Sequence, residues 1–149
     1  MSSLKQIQSF LDSQPIALVG ASRDPKKFGH TAFKELKEKG MKLIPVNPEA
    51  EEILGVKSYP NIKTLPSDIQ GIIILTKKEK TYSVVKEAKE KGIKRIWIQQ
   101  MADTREAIDE LKDSDINYVI GECILMHYKP HSIHKFHGNL RKIFGRFPK

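Results

Sequence analysis

The chain has 149 residues, 39% hydrophobic and 30% charged, with a formal net charge of +8. That fits one globular domain burying roughly 70% of its unfolded surface, and no apolar run approaches the ~20 residues that a helical bilayer span needs. The opening "MSSLKQIQSFLDSQP" is too polar for a signal peptide, and the single Cys123 cannot form an internal disulfide, so a reducing, cytoplasmic setting is expected.

The positive charge is unevenly spread. Residues 126–149 hold six Lys/Arg and no Asp/Glu, leaving 20 basic and 18 acidic residues, a net of +2, over residues 1–125. The expected organisation is a nearly balanced domain over 1–125, opened by a helix at 2–13. A basic, His-rich extension, 126–149, is expected to pack on that domain.

Leu4, Ile7, Phe10 and Leu11 follow helical spacing, so a short amphipathic helix is expected before Pro15. "IALVGA" is an apolar run of strand length, as in a parallel strand covered on both faces. "TAFKELKEKG" reads as a helix with Ala32, Phe33 and Leu36 inward and Gly40 as its stop. "MKLIPV" is a second strand, ending at Asn47-Pro48. "EEILGVKSYPNIKTLPSDIQ", punctuated by Gly55, Pro60 and Pro66, reads as a connector with one short extended piece and one helical turn.

"GIIILT" is a third strand, followed by a helix over 78–91 with Tyr82, Val85 and Ala88 on one face and Gly92 closing it. "KRIWIQQ" is a fourth strand. "DTREAIDELKD" is a helix whose Asp103 and Glu106 match a capping box, and "INYVIGEC" is a fifth strand. Alternating strands and helices predict an α/β, Rossmann-like doubly wound fold with a five-stranded, mainly parallel sheet and helices on both faces. In such sheets ligands sit beyond the carboxyl ends of the strands. That rule marks Gly20–Lys27, Asn47-Pro48, Thr76-Lys77, Gln99–Met101 and Gly121–Cys123.

The first strand runs into "GASRDPKKFGH", a turn without the full G-x-G-x-x-G fingerprint, since Ser22 stands in the second glycine's place and Gly29 arrives nine residues after Gly20. Gly20 and Ala21 are small enough for close ligand approach, and Ser22 adds a hydroxyl. Arg23, Lys26 and Lys27 add three cations suited to phosphate beside a helix N-terminus. An NAD site wants Asp or Glu after the second strand; here Asn47 and Pro48 occupy that place, so ordinary NAD is disfavoured. Asn47 can hydrogen-bond a ribose or adenine edge, and Pro48 can pack on an adenine face.

"VGAS", the basic loop, "IPVNP", "ILGVKSYPNIKTLP", "GIIILT", "WIQQ" and "GEC", in this order, cover about residues 14–125. This ordered set resembles the single-domain CoA-binding proteins, relatives of the nucleotide-binding domain of the succinyl-CoA synthetase α subunit. The resemblance implies coenzyme A as the ligand, its ADP portion lying along the strand ends. By position, Gly20, Ser22, Arg23 and Lys27 would serve the phosphates, Asn47 and Pro48 would border the adenosine, and Thr76 and Lys77 would line the cleft. A pyrophosphate plus a 3′-phosphate suits a serine and basic loop better than a three-glycine turn.

Cys123 follows the fifth strand, where the pantetheine thiol could arrive, and relatives commonly carry cysteine there. A mixed disulfide with CoA stands against an inert, half-buried thiol beside Glu122. His127, His131, His134 and His137 lack carboxylate partners in the tail, so solvated or satisfied histidines are expected in preference to zinc ligands. "FHGNLRKIFGRFPK" interleaves apolar and basic residues, a pattern expected to dock on its own domain or on a dimer mate.

No G-x-S-x-G elbow, Cys–His–Asp order or P-loop lysine is present, and ligation through a phosphorylated histidine belongs to a further domain in the relatives. The expected function is binding of CoA or an acyl-CoA without catalysis, as carrier, sensor or accessory. An NADP-binding protein or small oxidoreductase is the first alternative. Nucleic-acid binding through the basic tail is the second, disfavoured by the balanced charge of residues 1–125 and the lack of an aromatic platform. A homodimer is compatible with all three.

Overall fold

Residues alternate between two helical layers along each central strand, which is why the strands are apolar on both faces. A computed structural model describes residues 2–129 of the chain. The main strands are β1 (Ile16–Val19), β2 (Leu43–Val46), β5 (Gly71–Ile74), β6 (Arg95–Gln99) and β7 (Asn117–Glu122). They form one five-stranded sheet in the order β2-β1-β5-β6-β7, with every pair parallel. The order reverses between β1 and β5, so the topological switch point lies there. The Rossmann-like α/β reading holds.

Ile16, Leu18, Ile73, Trp97 and Val119 pack with α1 (Leu4–Leu11) and α2 (Phe28–Glu38) on one face. Ala17, Val19, Ile72, Ile74, Ile96 and Ile98 pack with α3 (Lys78–Lys91) and α4 (Arg105–Lys112) on the other. Burying both faces of a parallel sheet removes the alternation of polar and apolar residues that marks a half-exposed strand. The 3₁₀ turn Ile124–Met126 follows β7, and Ile124, Leu125 and Tyr128 are buried against the α1/α2 layer.

Several details differ from the sequence expectations. Leu4 is exposed; α1 buries only Ile7, Phe10 and Leu11. Helix α2 begins at Phe28, a turn earlier than the apolar stripe indicates, while Ala32, Phe33 and Leu36 do face inward. The inward stripe of α3 is Thr81, Val85 and Ala88, and Tyr82 points outward, because spacings of four and three keep one face better than two threes. The cap of α4 is Thr104, whose hydroxyl accepts the Ala107 N–H at 3.2 Å, not Asp103. The connector holds a small antiparallel hairpin, β3 (Glu52–Ile53) and β4 (Val56–Lys57), instead of one extended piece. Its expected helical turn is the 3₁₀ segment Ile62–Thr64.

Candidate functional site

The carboxyl ends of β1, β2 and β5 open onto a cleft of about 570 Å³ at the switch point. Its floor is the turn after β1. Gly20 has φ +104°, and a β-carbon there would lie 2.9 Å from the Leu75 carbonyl group, so only glycine lets the turn pass beneath β5's end. Gly29 packs more tightly still: a β-carbon on it would lie 2.0 Å from the Gly20 oxygen. It performs the close helix-to-strand packing of a fingerprint's third glycine, displaced along the chain.

The loop between these glycines is held by its own short hydrogen bonds. Ser22 Oγ accepts the Asp24 N–H at 3.0 Å, and Asp24 Oδ1 accepts the Lys26 N–H at 2.9 Å. The Asp24 carbonyl accepts the Lys27 N–H at 3.0 Å. Asn47 braces the loop from β2. Its Nδ2 donates to the Ala21 carbonyl at 2.9 Å, while its Oδ1 accepts the N–H groups of Glu49 and Ala50 at 2.7 and 3.1 Å. Most of that side chain's hydrogen-bonding capacity is therefore spent on the fold.

Helix starts differ around the molecule. Helices α1 and α4 are capped by the hydroxyls of Ser3 and Thr104. Helices α2 and α3 are preceded by Lys27 and Lys77, whose side chains make no capping hydrogen bond, and both starts border the cleft. Uncapped starts leave backbone N–H groups and the positive end of each helix dipole unspent at this place. Lys27, Lys77 and Lys80 line the same walls, opposed by one acid, Glu87.

Of the residues singled out from sequence, Gly20, Ala21, Ser22, Lys27, Asn47, Pro48, Thr76 and Lys77 come together in this cleft. Arg23 and Lys26 lie on the same loop but are exposed and outside its lining. Cys123 lies elsewhere, buried in the α1/α2-side core after β7. Around it Trp97 Nε1 donates to the Glu122 carbonyl at 3.1 Å, and Gln99 Oε1 accepts the Ile124 N–H at 3.0 Å. His127 Nε2 stands 3.8 Å from the buried Glu122 carboxylate. His127 and Tyr128 are thus part of the packed domain, whereas His131, His134, His137 and the rest of the basic extension, 130–149, lie outside the described residues.

Sequence reasoning missed Phe28, the connector residues Pro60, Asn61 and Ile62, and the α3 wall of Lys80, Ser83, Val84 and Glu87. The α3 residues carried a readable signal: they follow Lys77 at helical spacings, on the face beside the inward stripe. The connector carried none, because its position depends on Tyr59, which pairs with β2 through the Asn47 N–H and the Pro45 carbonyl. Among the described residues no three of His, Cys, Asp and Glu converge as a metal-binding group.

A family model described as a CoA binding domain matches residues 14–129. The chain belongs to the CoA-binding domain family. The α subunit of ADP-forming acetate–CoA ligase II from Pyrococcus furiosus is 42% identical over 90 residues, 60% of this chain. The match spans only 20% of that ligase subunit. The protein YneT of Bacillus subtilis is 31% identical over 112 residues, covering 75% of this chain and 83% of its own length. Among solved structures, a hypothetical protein from Pyrococcus horikoshii OT3 superposes with a TM-score of 0.78 at 30% identity. That likeness covers 87% of this chain and 95% of the other. Among the described residues of this family member, no helix is long and apolar enough to cross a membrane.

Proposed function

We propose that this domain binds coenzyme A or an acyl-CoA in the cleft at the switch point and performs no catalysis of its own. The carrying observation is the convergence there of two uncapped helix starts with Lys27, Lys77 and Lys80, in a member of a CoA-binding family. The pyrophosphate would lie over the Gly20–Ser22 turn, with its charge met by the α2 start and Lys27. Pro48 would border the adenosine, with Asn47 holding the turn in shape. Lys77 and Lys80 stand across the cleft, available to a further phosphate. Cys123, off the cleft wall, has no part in this reading.

Calorimetric titration of ligand-stripped protein with CoA, 3′-dephospho-CoA, NADP and NAD tests the proposal. CoA should bind, and removing its 3′-phosphate should weaken it. Binding of NADP without CoA would replace this reading with the oxidoreductase one. No binding of any of the four would leave the cleft without a nucleotide role.

A further inference from the structure

Two successive carbonyls of the first turn are each tied back by a side chain. The Ala21 carbonyl accepts from Asn47 Nδ2 at 2.9 Å, and the Ser22 carbonyl lies 3.0 Å from His30 Nδ1. A carbonyl can only accept, so His30 carries its proton on Nδ1 and donates. His30 sits half-buried on the first turn of α2, and its bond clamps the loop onto the helix that the loop introduces.

In a trans peptide the C=O and the following N–H point in opposite directions, so fixing one fixes the other. The N–H groups that follow these two carbonyls belong to Ser22 and Arg23. Neither has a hydrogen-bond partner among the described residues. Consecutive unspent backbone N–H groups beside a helix start are what an anion-holding turn offers. A carbonyl swung toward the same ligand would instead repel it.

We infer that His30 is a positioning residue that keeps the Ser22 carbonyl turned away from a bound phosphate. The inference rests on the CoA-binding reading of the cleft. It extends the site to a residue outside the cleft lining, and it gives Asn47 the matching task one peptide earlier. Arg23 lies outside the cleft lining, so its backbone N–H would meet a phosphate only at the cleft's edge, with the Ser22 N–H further in.

The test combines binding with a spectroscopic readout. Wild type, His30→Ala and His30→Asn are titrated with CoA, ADP and adenosine, and the imidazole nitrogens of wild type are read by ¹⁵N NMR. His30→Ala should bind CoA and ADP about tenfold more weakly, the worth of one hydrogen bond to a preorganised turn, while adenosine binding stays unchanged. His30→Asn, whose Nδ2 can stand where Nδ1 stands, should recover most of the loss. The wild-type ring should be protonated on Nδ1. Equal losses for adenosine, CoA binding unchanged in His30→Ala, or a neutral ring protonated on Nε2 would each overturn the inference. A wild type that ignores CoA overturns the reading of the cleft and this inference with it, whereas a binding wild type beside an unaffected His30→Ala overturns this one alone. Should His30→Ala not fold, the wild-type tautomer and the His30→Asn titration decide.

Discussion

Gly29 lies so close to the Gly20 carbonyl oxygen that a β-carbon on it would come within 2.0 Å. The contact is backbone on backbone, so no side-chain rotation relieves it. Gly29→Ala should therefore push α2 off the turn, destabilise the domain by about 1–3 kcal/mol or more, and abolish CoA binding. Thermal melting and a CoA titration on the same preparation check both halves. A variant as stable as wild type would show that the turn has slack.

Lys27 lines the cleft, while Arg23 and Lys26 project from the same loop into solvent. Charge-assisted contact and long-range attraction are thereby separable. Lys27→Ala should weaken CoA binding by about 1–3 kcal/mol at any moderate salt concentration. Lys26→Ala should cost less, with an effect that fades as ionic strength rises. Equal losses in both, with equal salt dependence, would place the phosphates nearer the loop's outer edge.

The hydroxyl of Thr81 is buried and donates to the Ala102 carbonyl at 2.7 Å, tying α3 to the segment before α4. Thr81→Val keeps the shape but leaves that carbonyl without its partner, a loss of about 1–3 kcal/mol. Tyr82→Ala, one residue along and exposed, should change stability by no more than about 0.5 kcal/mol. Chemical denaturation of the two variants measures the difference directly.

Lys89 donates to Glu110 at 2.8 Å, joining α3 to α4, and this hydrogen bond holds the Glu110 carboxyl below its ordinary value of 4.5. A depressed folded-state value means that the pair's stabilisation is complete above about pH 4.5 and is lost as pH falls through the lowered value. Glu110→Gln should lower stability slightly above about pH 4.5 and flatten the acid limb, the two stability–pH curves converging at low pH. An unchanged acid limb would mean the pair adds nothing to folding, as many exposed pairs do not.

The sheet was legible because its central strands, β1, β5 and β6, are nearly continuous buried runs rich in Ile, Leu and Val, which carry their own signal in any context. The first turn was legible for its small and basic residues. Its tightest contact was not, since Gly29 acts only once α2 folds back onto Gly20. Asn47 looked like a ligand-facing group because its type and place suit one; the structure spends it mainly on the Ala21, Glu49 and Ala50 backbone. His30 gave no sign in one dimension, because the Ser22 carbonyl it meets is anonymous in a sequence. Thr81 lost to Tyr82 in the reading because aromatic bulk suggests burial, whereas a buried hydroxyl needs a partner that only the fold reveals.

Helix α1 closes against β7, the last strand among the described residues. Ser2 meets the Ile120 backbone, and the Asn117 amide donates to the Gln6 carbonyl at 3.0 Å. During synthesis, Ile7, Phe10 and Leu11 leave the ribosome more than a hundred residues before the strand that they pack beside. The nascent chain must therefore carry this apolar stripe for more than a hundred residues without its β7 partner, and this seam closes only after β7 has emerged.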